Sequence, residues 1–149
     1  MCLLIPFDKA IFMADNLTPE QRKKAMSRVQ QQNTKPEKIV RSLLHRLGFR
    51  FRKNVSSLMG KPDIVLPKYK TIIFVHGCFW HQHKGCRKAN RPTSNIEFWN
   101  NKLDKNVKRD KQTEAELKSL GWNILIVWTC EMKDKELLIE KLKNSLLVE

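Results

Sequence analysis

Residues 76–86 read HGCFWHQHKGC, so two cysteines, three histidines and an adjacent Phe-Trp pair fall within eleven residues. Thiolates and imidazoles are the ligands that borderline transition metals prefer. Cys78-x4-His83-x2-Cys86 offers three of them, and Cys130 offers a fourth just after the apolar run WNILIVW at 122–128. A structural zinc takes four nitrogen and sulfur ligands in a closed tetrahedron, for which three cysteines and one histidine suffice. Such a Zn2+ leaves no position open to a substrate and would staple the loop to a neighbouring strand. The alternative is three unrelated reduced thiols. Neither reading uses His76 or His81, and neither explains Phe79-Trp80.

A second chemistry begins at Lys61-Pro62-Asp63, followed by an apolar strand that ends at His76. Nucleases of the restriction-endonuclease-like fold set an Asp, usually after Pro, at a strand start, with a second acid and a Lys on the next strand at E-x-K spacing. Carboxylates there hold Mg2+, which polarises the phosphoryl oxygen and activates water. The adjacent strand here reads Phe74-Val75-His76, with no acid or lysine in that place. Either Pro-Asp is only a turn before a strand, or the pattern is altered. In the altered pattern the Val75 backbone carbonyl is the second metal ligand, and His76 and His81 supply nitrogen chemistry. A neutral imidazole takes a proton from water near pH 7, whereas a protonated one balances phosphate charge.

The elements that must position these groups are legible from caps and periodicity. Thr18-Pro19-Glu20-Gln21 starts a basic helix, poor in core residues, that runs to about Val29. A second capping box, Thr34-Lys35-Pro36-Glu37, opens a helix whose buried face is Ile39, Val40, Leu43, Leu44 and Leu47. Strands are expected at 49–53, 60–66, 70–76 and 122–128, with helices over 95–120 and 134–147. Trp122 and Trp128 are expected to pack within their strand. The order is that of an α/β domain with a mixed β-sheet flanked by helices.

Composition adds a partner. The chain of 149 residues carries 29 Lys+Arg against 15 Asp+Glu, a formal charge of +14. Residues 20–53 hold eleven basic residues and two acids, Glu20 and Glu37. An excess this uneven fits a polyanion, and nucleic acid is the usual one. The basic run from Lys102 to Lys111 can equally be a solvated helix face. Four cysteines without the other marks of a secreted scaffold indicate a reduced, cytoplasmic setting. The opening MCLLIPFDKAIF is broken by Asp8 and Lys9 and is too short to span a bilayer. Residues 1–12 are therefore expected to be a dispensable extension, with 13–149 as one domain.

The runs GKPDIVL, IIFVHGCFWHQH, NIEFW, KNVKRD and LGWNILIVWTCE together closely resemble the very short patch repair (Vsr) DNA mismatch endonucleases, across roughly residues 13–147. The resemblance implies a restriction-endonuclease-like core, a catalytic Mg2+, a structural Zn2+, and nicking of double-stranded DNA 5′ to the T of a T·G mismatch. It implies Asp63 and the Val75 carbonyl at the Mg2+, His81 as general base and His76 as its catalytic partner. Cys78, His83, Cys86 and Cys130 match the zinc positions. Phe79, Trp80 and Trp99 match residues that intercalate beside the mismatch. Glu37, Asn106, Asp110 and Met26 match positions around the active site or the DNA. Mismatch-repair proteins and a cognate cytosine-5 DNA methyltransferase are the implied partners of a bacterial cytoplasmic monomer, with no membrane. One spacing departs from the pattern: Lys84-Gly85 puts an extra residue between the zinc histidine and Cys86. The competing readings are another restriction-type or structure-specific nuclease, and a non-catalytic zinc module that binds DNA.

Overall fold

The computed structural model describes residues 17–29 and 32–147. The expected extension, residues 1–12, lies outside the described residues. Among the described residues four α-helices and four strands are formed: α1 Pro19–Ser27, α2 Lys35–Arg46, β1 Arg52–Lys53, β2 Ile64–Leu66, β3 Thr71–His76, α3 Ile96–Ser119, β4 Asn123–Trp128 and α4 Lys135–Leu146. Their order is the one the periodicity predicts. The strands make one mixed sheet in chain order, antiparallel from β1 to β3 and parallel between β3 and β4. A parallel neighbour needs a long crossover, and α3 is that crossover. No described helix is long and apolar enough to cross a membrane.

Strand β3 is buried at every residue, and its alternation divides the protein into two halves. Ile73 and Val75 join Ile64, Leu66 and Val127 in a core closed by Val40 and Leu44 of α2 and Leu138 and Leu142 of α4. Ile72 and Phe74 join Val65 on the other face, against Leu117 of α3, with Trp122 packed at the margin. Asp63 is in phase with Val65, and His76 with Phe74. Both therefore belong to the face that α3 covers.

Two strands are shorter than the alternation predicts, for local reasons. The run from Phe49 does not pair until Arg52, because the Phe49 amide donates back to the Leu44 carbonyl at 3.0 Å and finishes the turn of α2. β2 starts at Ile64 and not at Gly60, because Gly60 and Lys61 have φ of 75° and 47° and Pro62 has no amide to donate.

Gly60 is needed at that turn. A methyl group there would stand 2.4 Å from Thr113 Cγ2 and 3.5 Å from Phe74 Cζ. Gly48 shares the left-handed conformation, at φ 84°, with nothing within 4 Å. Gly60→Ala should therefore destabilise by about 1–3 kcal/mol beyond the backbone cost that Gly48→Ala also incurs. Chemical denaturation of the two variants measures the difference; equal losses would mean the turn yields freely.

Candidate active site and metal cluster

Pairing between β2 and β3 ends at Ile64↔Ile73, so the next stretch of β3 has no strand partner on that edge. The Val75 amide instead donates to Asp63 Oδ2 at 2.8 Å. Burial is the main influence on this carboxyl and pushes its pKa from 3.8 up to about 6; the Val75 bond and Arg41 oppose, and Glu37 adds to the rise. Glu37 is fully buried. Its carboxylate accepts from the Asn33 amide and from Thr34 Oγ1, both at 2.9 Å. This corrects the second capping box: Thr34 sits at the N-cap but makes no side-chain cap bond, because its hydroxyl donates to Glu37. Glu37 is thus a buried acid that acts on Asp63 rather than only a cap.

Across the cleft, His76 and His81 are stacked, with centroids 3.8 Å apart and planes within 6°. His76 is 6% exposed and its Nδ1 has no partner among the described residues. Burial, then the neighbouring His81, holds its pKa down to about 2. His76 is therefore neutral in the DNA-free protein, not a cation. His81 Nδ1 pairs with Asp110 Oδ2 at 2.5 Å. A carboxylate accepts only, so Nδ1 carries the hydrogen, and in the neutral ring it is Nε2 that presents a lone pair. The cleft between these groups has a volume of about 420 Å³. Lys61, Arg109, Thr113 and Glu114 also line it.

The second cluster lies at the end of β4. The metal-binding atoms of Cys78, His83, Cys86 and Cys130 all lie within 4.8 Å of one another. His83 Nδ1 is 3.6 Å from Cys78 Sγ and 3.4 Å from Cys130 Sγ. Tetrahedral thiolate–imidazole ligation at ordinary bond lengths would separate such atoms by about 3.5 Å, so the set fits a metal. Gly85, at φ 77°, turns the chain between His83 and Cys86, and His83 reaches the cluster. Burial and the two neighbouring cysteines push the Cys130 thiol up to about 12. A cation at this cluster would offset that penalty on the Cys130 thiolate. The surroundings hold the ligands still: Thr129 Oγ1 lies 3.4 Å from Cys78 Sγ, and the His83 ring stacks on Trp128 at 4.2 Å.

Between the two clusters, Phe79 and Trp80 turn inward. With Trp99, Leu103 and Met26 they form a small core of their own. Trp80 stands 5.1 Å from Phe79 and 6.0 Å from Trp99, centroid to centroid. Its Nε1 is buried without a partner among the described residues. The loop is tied to α3: Asn106 Nδ2 donates to the Trp80 carbonyl at 3.1 Å, and Gln82 Nε2 to the Phe79 carbonyl at 2.7 Å. Arg91 bridges Gln82 to Asn100 and Asp104.

The family model described as "DNA mismatch endonuclease Vsr" matches residues 14–88. The DNA mismatch endonuclease Vsr of Escherichia coli (strain K12) is 40% identical over 137 residues, 92% of this chain and 87% of that protein. The chain belongs to the Vsr DNA mismatch endonuclease family. The type II nicking enzyme V.XorIIP of Xanthomonas oryzae pv. oryzae is 47% identical over 134 residues, 90% of this chain and 98% of the relative. In fold, the chain is similar to the catalytic domain of the homing endonuclease I-Bth0305I. The TM-score is 0.55 at 19% identity, covering 77% of this chain and 96% of that one.

Within this Vsr-family chain, the structure brings Asp63, Val75, His76, His81 and Asp110 to one cleft and the four sulfur and nitrogen ligands to another site. Asn106 lies outside the cleft lining and anchors the aromatic loop, and Met26 packs on the aromatic rings. Lys61, Arg109, Thr113 and Glu114 escaped the sequence reading. Helical spacing was the available signal for two of them, since Thr113 and Glu114 stand three and four residues beyond Asp110.

Asp63 gives a stability test. Between pH 3.8 and about 6 the folded state keeps a proton that the unfolded state has released, so stability falls as pH rises through that window. In magnesium-free buffer at pH 7, Asp63→Asn should be more stable than wild type by about 1–3 kcal/mol. The gain should shrink as pH is lowered towards 4. A constant gain across pH 4–7 in denaturation curves would show that the carboxyl titrates normally.

Proposed function

We propose that this Vsr-family endonuclease nicks one strand of double-stranded DNA 5′ to the T of a T·G mismatch, the lesion left by deamination of 5-methylcytosine. The observation that carries the reading is the pairing, across one cleft, of a desolvated carboxylate on a free strand edge with a carboxylate-oriented imidazole. His81 Nε2 is the base: it takes the proton of the attacking water while Asp110 steadies the imidazolium that forms. His76, neutral and stacked on His81, fixes the ring plane and keeps bulk water from one face. Asp63 is the proposed magnesium ligand together with the carbonyl of Val75. In an extended strand the N–H and C=O of one residue share an edge, so the Val75 bond to Asp63 puts its carbonyl on the same side. Mg2+ takes oxygen ligands by preference, which favours that pair over the histidines. When bound, the ion would polarise the phosphoryl oxygen and neutralise developing charge.

Zn2+ is the proposed occupant of Cys78, His83, Cys86 and Cys130, with a structural role. Closing that tetrahedron ties the catalytic loop to the end of β4 and so fixes His81 relative to β3. Phe79, Trp80 and Trp99 are the proposed intercalating residues, with Met26 beside them. Because they are packed on one another in this structure, intercalation must exchange ring–ring contacts for ring–base contacts. An aromatic pair is worth about 0.5–1.5 kcal/mol and stacking on a base about 1–3 kcal/mol. The surplus is small. It suffices at a T·G step, which is already easier to unstack, more readily than in a matched duplex. We place the protein in the bacterial cytoplasm as a monomer. Mismatch-repair proteins and a cytosine-5 DNA methyltransferase are its proposed partners.

Purified protein with Mg2+ should nick a T·G duplex and spare the matched duplex. Asp63→Asn should abolish nicking while leaving DNA binding largely intact; substantial nicking by that variant would reject the assigned site. Equal cutting of both duplexes would favour a restriction-type nuclease, and no cutting with firm binding would favour a DNA-binding zinc module.

Metal analysis should find one zinc per chain, lost together with thermal stability in Cys130→Ser. Full zinc retention by that variant would exclude Cys130 from the ligand set. Trp80→Ala should weaken T·G binding by roughly ten- to a hundred-fold and barely change non-specific binding, which rests on phosphate contacts. Proportionate loss of both affinities with a lower Tm would mean that Trp80 only packs.

A further inference from the structure

The cleft is short of positive charge for the reaction assigned to it. Its lining includes three acids, Asp63, Asp110 and Glu114, against two permanent cations, Lys61 and Arg109. The strand beside Asp63, Thr71–His76, carries no lysine or arginine. Arg109 is partly committed: its Nη2 lies 3.7 Å from Asp110 Oδ1, on the carboxylate that orients His81. Lys61 makes no ion pair among the described residues. It is also held in an unusual backbone conformation, φ 47°, although a following proline biases a residue towards extended backbone and a side chain disfavours left-handed φ. Its neighbours impose this. Gly60 is wedged against Thr113 and Phe74, and the Lys61 amide closes a turn onto the Leu58 carbonyl at 3.1 Å. Strained non-glycine residues persist where the surroundings over-determine them, and they gather at functional sites.

Building on the nicking function proposed above, we propose that Lys61 is a catalytic residue whose ammonium group binds a non-bridging oxygen of the scissile phosphate. The water oxygen bonds to phosphorus as the bond to the leaving sugar oxygen breaks; that oxygen keeps the bonding pair and takes a proton from solvent, while His81 takes the water proton. Lys61 donates a hydrogen bond throughout and transfers no proton. Its contribution is electrostatic and grows as negative charge accumulates on the equatorial oxygens. The lysine missing from the neighbouring strand is thereby supplied from the turn that precedes Asp63.

The experiment is single-turnover nicking at saturating T·G duplex and Mg2+, with Lys61→Ala, Lys61→Gly, Lys61→Arg and, in parallel, Asp63→Asn. Lys61→Ala and Lys61→Gly should slow the rate constant by about 10²–10³-fold with unchanged duplex affinity, and Lys61→Arg should recover most of it. Glycine relaxes the backbone, so its Tm should equal or exceed that of wild type. That separates lost chemistry from lost fold. A wild-type rate for Lys61→Gly would overturn the proposal, as would lost affinity with an unchanged rate for Lys61→Ala. A phosphorothioate at the scissile position should slow wild type in one diastereomer and have a smaller effect on Lys61→Ala; identical effects on both proteins would exclude the contact. Nicking retained by Asp63→Asn would instead reject the site as a whole.

Discussion

The hydrogen bond from the Val75 amide to the Asp63 carboxylate exists because β2 releases β3 after Ile73. A strand continued by two residues would have satisfied that amide with backbone and left no carboxylate on the sheet edge. Pro62 prevents the continuation, since it has no donor, and the left-handed Gly60 and Lys61 carry the chain away from the sheet. A carboxyl placed there is desolvated and lifted to about 6. The same desolvation that makes it costly as an isolated anion makes it a good partner for a cation. Everything else in the cleft is arranged around this edge: His76 at the end of the same strand, His81 stacked on His76, and Asp110 reaching across from α3.

The loop after β3 carries groups for two separate tasks and needs two anchors. One is the cysteine–histidine set, which binds the loop to the residues after β4. The other is α3, through the Asn106 bond to the Trp80 carbonyl and the His81–Asp110 pair. Between the anchors stand the rings. Glu131 extends the first anchor, accepting from the Trp128 amide at 2.7 Å and pairing with Lys141 of α4 at 2.7 Å. A long irregular segment is thereby fixed without a hydrophobic core beneath all of it. Side-chain hydrogen bonds, together with ligation at the proposed zinc site, do what strand pairing does elsewhere.

The elements, and the residue groups that gather at the cleft and at the cysteine–histidine cluster, were largely legible because their signals are local. Thr18 accepts from the Gln21 amide while Gln21 Oε1 accepts from Thr18, as a capping box requires. The apolar strand at 71–76 and the thiol–imidazole spacing likewise declare themselves within a few residues. What the sequence hid depends on the third dimension. Glu37 looks like a cap and is one in position, yet its carboxylate accepts a hydrogen bond from the Thr34 hydroxyl and acts electrostatically on Asp63. Arg109, Thr113 and Glu114 sit in or beside a basic run that reads as a solvated helix face; only the crossover of α3 turns that face towards β3. The resemblance matches the aromatic pair to residues that intercalate beside a mismatch, yet in this structure the pair is packed inside. It is buried because Trp99 and Leu103 on α3, and Met26 on α1, offer it apolar surface.

Strand β3 explains why so many unfavourable features coexist. Residues Ile73 and Val75 project into an apolar core with α2 and α4, where Leu44, Leu138 and Leu142 are at most 1% exposed. Truncating such a leucine costs about 2–5 kcal/mol, so that face is where the stability of the sheet resides. The opposite face holds the lifted Asp63 carboxyl, the left-handed Lys61 and His76, whose Nδ1 has no partner among the described residues; Trp80, whose Nε1 likewise has none among them, lies in the loop beyond it. Each is disfavoured locally, and each belongs to the cleft, its rim or the adjoining loop. A fold of this size, stable by about 5–15 kcal/mol, can carry them only if its other face is nearly free of such faults. The period-two alternation of one buried strand keeps the two demands apart: odd-numbered residues hold the sheet together while His76, on the even-numbered side, meets the chemistry.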